Sequence, residues 1–418
     1  MATHVVTVFL RHDAAVLLLE RSDAVGSYPG RWGGVAGHVE ADDPDRAAVR
    51  RAAISEIGEE TGLADHVTLV RCGSPFAVLD DTRDTEWMVH PCLYDCTSRA
   101  VTPNEETTDW AWVPPPTILD RDTVPDLWRS YTAVAPTVET IRGDRTHGST
   151  YLSVRALEVL RDRAAVAARR GTATDLPALA RDLRASRPGM AAVTNRVNRA
   201  MAAANDAGSI TDPATVERAA SDGIDAALAA DDRAAATAAE SLGDRVVTTS
   251  RSGTVEAVLR DAAVPVLVAE ARPGGEGTDL ATVLAADGVD VTLTPDATAP
   301  GRIEATDTVL VGADAVLPDG SVHNKVGTYP LAVAAARADA DCYAVCAADK
   351  IVPDGTVATP EAPADTIDHP PGVSVENPLL ETTPAALIDG IITDRGLLAP
   401  AAIADLAADL AALGTWSD

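Results

Sequence analysis

Lysine is almost missing: of 34 basic residues in a chain of 418, only Lys325 and Lys350 are lysines, and 63 acidic residues bring the formal charge to -29. Such a surface repels a polyanion, so no nucleic-acid partner is expected. Cysteine is sparse, at positions 72, 92, 96, 342 and 346, with an odd count and no C-x-x-C spacing. That argues against a disulfide framework, and Cys92/Cys96 and Cys342/Cys346 read as core thiols, each pair too few for a metal site. Long apolar runs are also lacking. The opening MATHVVTVFL meets RHD after ten residues, so neither a signal peptide nor a membrane span is expected, and the protein reads as cytoplasmic.

Hydrophobic content of 46%, spread through periodic blocks, excludes a disordered acidic segment. A folded protein of a high-salt cytoplasm fits better, because salt at 1 M screens carboxylate repulsion to about 3 Å. The length implies two or three domains. Residues 3–10 and 14–20 predict a hairpin around Arg11, His12 and Asp13, and the Gly-rich GSYPGRWGGVAGHVE leads into a helix beginning near Pro44. Strands are expected around 67–79 and 86–95, and the three prolines of WAWVPPP close the first unit. Residues 136–240 are Ala-rich with helical periodicity. After Gly243 short β-runs alternate with helices, as in RVVTTS, VPVLVAE and DTVLVGAD, which specifies a parallel sheet with ligands at its carboxyl ends.

The segment DDPDRAAVRRAAISEIGEETGL offers Asp43 as N-cap, Pro44 as first helical residue and Gly62 as breaker. Glu56, Glu59 and Glu60 stand at i, i+3 and i+4, which puts three carboxylates on one helix face. Read alone, that face is a solvated acidic surface or a site for a hard cation such as Mg²⁺ or Mn²⁺. In context the helix resembles the Nudix box, G-x5-E-x7-R-E-U-x-E-E-x-G-U with U aliphatic. Gly37 opens it, Asp43 stands at the first Glu, and Glu56 to Leu63 supply the second half. The interval from Asp43 to Glu56 is four residues long in excess, and Ser55 replaces the family's Arg. Four residues are close to one helical turn, which keeps the face in phase and lets Arg51 supply a guanidinium. Gly58 weakens the helix by about 1 kcal/mol relative to Ala. The resemblance implies metal-dependent hydrolysis of a nucleoside diphosphate derivative. Glu56, Glu59 and Glu60 would be catalytic metal ligands, the Ala36 carbonyl a further ligand, and Glu105 or Glu106 an additional acid.

Three later blocks, TTSRSGTV, VAEARPGGEGTDLATVLAADG and VGADAVLPDGSVHNKVGTYPLAVAA, resemble the alpha, beta and delta subunits of translation initiation factor 2B. Their superfamily includes the ribose-1,5-bisphosphate and methylthioribose-1-phosphate isomerases, and the likeness runs from about Ile141 to Leu398. Physically, amides at helix starts after SRSGT and RPGGEGT, with Arg142, Arg251, Arg272 and Lys325, suit a phosphate, the alternative for Arg142 and Arg251 being an ordinary surface ion pair. By resemblance, Arg142, Gly143, Ser250, Arg251, Arg272, Asp314, Asn324 and Lys325 line a phosphosugar pocket, with Asp314 at the place of the isomerase acid/base aspartate. Ser250 stands where the isomerases carry a cysteine, and its hydroxyl is too weak an acid to replace a thiol.

The expected fold is therefore α/β: a Nudix α/β/α sandwich with a mixed sheet over 1–135, a helical subdomain over 136–240, and a Rossmann-like domain over 241–418 that binds a sugar phosphate or nucleotide. The alternatives are a regulatory factor with a binding-only Nudix module, or a phosphosugar isomerase. The likeness also implies a homo-oligomer.

Overall fold

The computed structural model describes residues 3–41, 43–80 and 85–417. It divides into two compact units, Met1–Thr140 with Glu158–Thr174 and Ile141–Leu157 with Asp175–Asp418. Among the described residues no helix is long and apolar enough to cross a membrane.

The first unit carries β1 (Thr3–His12), β2 (Ala15–Arg21), β3 (Trp32–Gly33), β4 (Val35–His38), α1 (Arg46–Thr61), β5 (Val67–Cys72), β6 (Phe76–Asp80), β7 (Thr85–Cys96), β8 (Thr107–Val113) and α2 (Leu127–Thr132). Its sheet runs β3-β2-β1-β7-β5, with β4 beside β1, β6 beside β7 and β8 beside β2. The pairing of β1 with β7 is parallel and that of β1 with β2 is the expected antiparallel hairpin, so the sheet is mixed. Alternation along β1 sends Val6, Val8 and Leu10 to one face, where they meet Val49, Ala53 and Ile57 of α1. Phe9 goes to the other, against Leu127 and Tyr131 of α2. One helix layer covers each face.

Three details differ from the sequence reading. The N-cap of α1 is Asp45, whose carboxylate accepts from the Ala48 amide at 2.7 Å, and the helix begins at Arg46. The third aspartate of the DDPD run, after the proline and not before it, is the one in reach of the first free amides. Gly62 ends the helix as expected, at φ 71° with its amide on the Gly58 carbonyl. The prolines after β8 do not close the unit: Ile118, Leu127, Tyr131 and Val134 go on to fill the second face of the sheet. Cys92 is not a free thiol. The register of β5 on β7 sets Cys72 opposite Cys92 with Cα atoms 4.0 Å apart, within bridging reach, and the two form a disulfide. Cys96, Cys342 and Cys346 are buried thiols.

Beyond the first unit's strands come α3 (Val138–Gly143), α4 (Ser149–Arg170), α5 (Leu176–Ser186), α6 (Ala191–Asp206) and α7 (Pro213–Ala239). The division between the units falls inside α3 and α4. The second unit continues with β9 (Arg245–Thr249), α8 (Gly253–Asp261), β10 (Val266–Ala269), α9 (Glu276–Ala286), β11 (Val291–Thr294), β12 (Asp307–Gly312), β13 (Ala315–Val316), β14 (Val322–Lys325), α10 (Thr328–Ala338), β15 (Asp341–Val345), β16 (Leu380–Thr383), β17 (Gly390–Thr393), β18 (Gly396–Leu398) and α11 (Ile403–Ala412).

Strands β11-β10-β9-β12-β15-β17-β18 form one sheet, parallel up to the antiparallel β18. Both faces are covered. Val247, Val309 and Val311 pack with Leu331 of α10 and Ile403 of α11, while Val246, Val268 and Leu310 pack with Ala234 of α7, Leu259 of α8 and Leu280 of α9. Chain order turns back between β9 and β12, which makes a crevice at their carboxyl ends. A small antiparallel sheet, β13-β14-β16, carries the chain on from β12 and sets Asn324 opposite Glu381 and Lys325 opposite Leu380.

Candidate functional site

In the first unit α1 brings its glutamates beside β4. The Glu60 side chain is buried, and its Oε1 accepts from the Ala36 amide at 3.3 Å. Glu56 lies against Gly37, where a Cβ would overlap its carboxylate, so only glycine lets β4 approach α1 this closely. Glu59 is exposed, and Ser55, at the position expected for Arg, donates to its Oε1 at 2.7 Å. The expected uniformly exposed face is thus graded from solvent at Glu59 to interior at Glu60.

Electrostatics follow the gradient. Burial pushes Glu60 up to about 8, against the opposing Ala36 amide; Glu56 and Glu106 add to the rise and Arg21 opposes it. Burial, then Glu59 and Glu106, also hold Glu56 above the ordinary carboxylate range. Of the two acids proposed from the 104–109 loop, Glu106 is the one that acts on the helix. Arg51 is exposed, and the guanidinium that acts on Glu60 is Arg21 of β2.

A cleft of about 800 Å³ opens over this group, lined by Glu56, Glu59, Glu106 and Arg21 at one part and by Val5, Val25, Val78, Val89, Tyr28 and Trp87 elsewhere. Tyr28 donates to Asp80 at 2.6 Å, and the Trp87 indole nitrogen is buried without a partner. Sequence reasoning missed Arg21, Tyr28 and Trp87, because they stand on strands or loops outside any motif. Among the described residues no group of three or more His, Cys, Asp or Glu is already drawn together as a metal site. The donors that α1 and Glu106 offer are oxygen only.

In the second unit the residues expected at the crevice stand on the loops after β9, β10 and β12, on β14 and at the end of α3. Ser250 follows β9, buried, at φ 62°, and Ala271 follows β10 at φ 63°; such left-handed non-glycine positions cluster at functional sites. A Cβ on Gly312, at the end of β12, would overlap the Ser252 side chain, so the loops after β9 and β12 touch. Asp314 is half-buried and its amide donates to the His323 carbonyl at 3.0 Å. Asn324 is buried and donates to Thr328 at 3.0 Å. Lys350, also buried, donates to the Ala313 carbonyl at 2.8 Å and so props the residue before Asp314; the motif blocks gave no hint of it. Arg142 and Gly143 are exposed at the end of α3, where the Arg142 carbonyl accepts from Arg145 at 2.8 Å, and among the described residues no hydrogen bond or ion pair ties them to the crevice.

Three of the four expected cations are already paired. Arg251 meets Glu256 at 2.8 Å, Arg272 meets Glu270 at 3.3 Å, and the Lys325 ammonium meets Glu276. Two amides at the entry to the RPGG turn are also taken, since Asp296 accepts from Ala271 at 2.8 Å and from Arg272 at 2.7 Å.

Comparison with known proteins agrees with both halves. The model of the NUDIX domain matches residues 1–134, and that of the initiation factor 2 subunit family matches residues 145–400. A ribose 1,5-bisphosphate isomerase of Methanocaldococcus jannaschii is 30% identical over 171 residues, 38% of this chain and 56% of that protein. One of Haloferax volcanii is 32% identical over 194 residues, 42% and 60% respectively. A methylthioribose-1-phosphate isomerase of Gemmatimonas aurantiaca is 34% identical over 149 residues, 34% and 43%. The chain thus spans less than two thirds of the length of each. The crystal structure of a translation initiation factor eIF-2B of Pyrococcus horikoshii superposes with a TM-score of 0.52 at 23% identity, over 63% of this chain and 95% of that one. A 5-methylthioribose 1-phosphate isomerase of the same organism gives 0.52 at 23%, over 66% and 86%. These two show a shared fold. The chain belongs to the initiation factor 2 subunit family, with a NUDIX domain at its N-terminal end.

Proposed function

We propose that the NUDIX domain hydrolyses a nucleoside diphosphate linked to a further group, with Mg²⁺ or Mn²⁺ held by Glu56, Glu59, Glu60 and the Ala36 carbonyl. The carrying observation is the carboxylate group itself: Glu56 and Glu60 both rise above their ordinary range, partly through Glu106, beside a cleft of substrate size. Carboxylates that repel one another at a cleft fit a hard divalent cation, which suits oxygen donors. Bound there, such an ion supplies charge neutralisation on phosphate oxygens and a water of lowered pKa.

The chain's own groups do the rest. Glu60 must shed the proton that burial favours, and Arg21 offsets the charge it then carries. Ser55 fixes Glu59 through a neutral donor instead of a cation, which leaves the carboxylate its full charge. Glu106, which lines the same cleft and acts on Glu56 and Glu60, would take a proton from water or help to hold the ion. The valine-lined part of the cleft, with Tyr28 and Trp87, accommodates the organic portion and keeps water from it.

For the second unit we infer binding of a sugar phosphate or nucleotide in the crevice at the carboxyl ends of β9 and β12. Isomerase chemistry is disfavoured because Ser250 replaces a thiol, and Cys346, at the same edge, is a buried thiol pushed up to about 12 by burial. The test of the first half is release of a nucleoside monophosphate from a panel of dinucleotides and nucleotide sugars with and without Mg²⁺ or Mn²⁺. Metal-dependent release supports hydrolysis; binding of panel compounds without turnover makes the domain a recognition module.

A further inference from the structure

Carboxylates occupy the groups that the crevice would present to an anion. Glu381 Oε1 accepts from the Gly327 and Tyr329 amides, each at 2.8 Å, and fills the start of α10. Asp296 takes the Ala271 and Arg272 amides, at the entry to the RPGG turn, in a similarly two-bonded way. These two anions are well satisfied. Glu276 is not: its Oε1 meets the Lys325 ammonium, while its Oε2 is buried with no hydrogen-bond partner among the described residues. The chain makes room for this half-satisfied group, because a Cβ on Gly274 would overlap the Glu276 carboxylate. Thr249, buried at the end of β9 with an unpartnered hydroxyl, faces Gly327 two residues beyond Lys325.

We propose that Glu276 is a built-in anion held on Lys325, and that the phosphate of a sugar-phosphate ligand binds by displacing it. This rests on the sugar-phosphate reading of the second unit. A carboxylate with one donor for two oxygens is less well satisfied than Glu381 or Asp296, since an unsatisfied buried acceptor carries its desolvation cost into the folded state. A phosphate brings more oxygens than Lys325 alone can satisfy, and the Thr249 hydroxyl is a donor at hand. Releasing Glu276 to solvent restores its hydration. The contact therefore sets a threshold: a ligand must add sugar contacts to outcompete it, and bare inorganic phosphate does not.

Calorimetry on the full chain, titrating ribose 5-phosphate and inorganic phosphate into the wild type, Glu276→Gln and Gly274→Ala, tests this. Glu276→Gln removes the competing charge, and Gly274→Ala forces the carboxylate aside without touching it chemically. The expected result is ribose 5-phosphate binding roughly fivefold to tenfold tighter in both variants, the worth of one half-exposed ion pair, with inorganic phosphate binding only in the variants. Wild-type binding of ribose 5-phosphate that is unchanged or weaker in both variants overturns the role of Glu276 and leaves the sugar-phosphate reading standing. No binding of either compound to any of the three folded proteins overturns that reading and this proposal with it.

Discussion

The two units use the same acidic residue type in opposite ways. In the first, Glu56, Glu59, Glu60 and Glu106 crowd one another beside a cleft, with Arg21 the cation acting on Glu60. In the second, Glu256, Glu270 and Glu276 each rest on a cation and Glu381 on two backbone amides. On the proposed reading, the first set, short of cations, is one that a metal would complete, and the second, whose cations and amides already hold carboxylates, is one that a ligand would have to compete with. A net charge of -29 reports neither, because it counts charges and not their neighbours.

Removing a carboxylate from the first set is expected to have the largest effect. Glu59→Gln and Glu60→Gln should each lower metal-dependent hydrolysis by about a hundredfold or more with the fold retained, measured as nucleoside monophosphate release at limiting Mg²⁺. Full turnover in both variants would break the contrast between the units. Gly37→Ala should act through position alone: a Cβ pushes the Glu56 carboxylate off β4, and a displacement on the order of 1 Å costs up to about a hundredfold. Circular dichroism should show an intact fold while turnover falls.

In the second set, Lys325→Ala should weaken ribose 5-phosphate binding by roughly tenfold without changing hydrolysis, since it removes one charged donor from a separate unit. Equal binding by calorimetry would mean that the crevice reads its ligand elsewhere. The smallest effect concerns stability. Glu60 has a folded-state value of about 8, above the ordinary 4.5, so the metal-free folded state holds a proton that the unfolded chain loses. Its contribution is fully present below about 4.5 and disappears as pH rises through about 8. Denaturant midpoints of the chelated protein should fall over that window, and Glu60→Gln should flatten the slope.

The spacing of Glu56, Glu59 and Glu60 was legible because helix periodicity alone aligns i, i+3 and i+4. That Glu60 is buried was not, because burial comes from β4, brought in by pairing with β1. The same limit hid the disulfide: Cys72 and Cys92 lie 20 residues apart, and only the register of β5 on β7 joins them. Alternating β-runs and helices announced the parallel sheet and its carboxyl-edge crevice. They could not announce that Lys325 meets Glu276, 49 residues away, since that contact depends on which loops the strand order brings together. Asp43 and Asp45 flank the same proline, both are N-cap residue types, and the preference for proline at the first helical position pointed to Asp43, so a single sequence could not find Asp45.

The central claim, that the crowded glutamates of the first unit await a divalent cation, is tested most directly by the protons released when metal binds. Calorimetric titration of Mn²⁺ at pH 7 in buffers of different ionisation enthalpy measures that release. With Glu60 held near 8, binding to the wild type should expel about one proton, and binding to Glu60→Gln should be weaker and expel almost none. Metal binding with equal proton release in both proteins, or no saturable binding at all, would contradict the account.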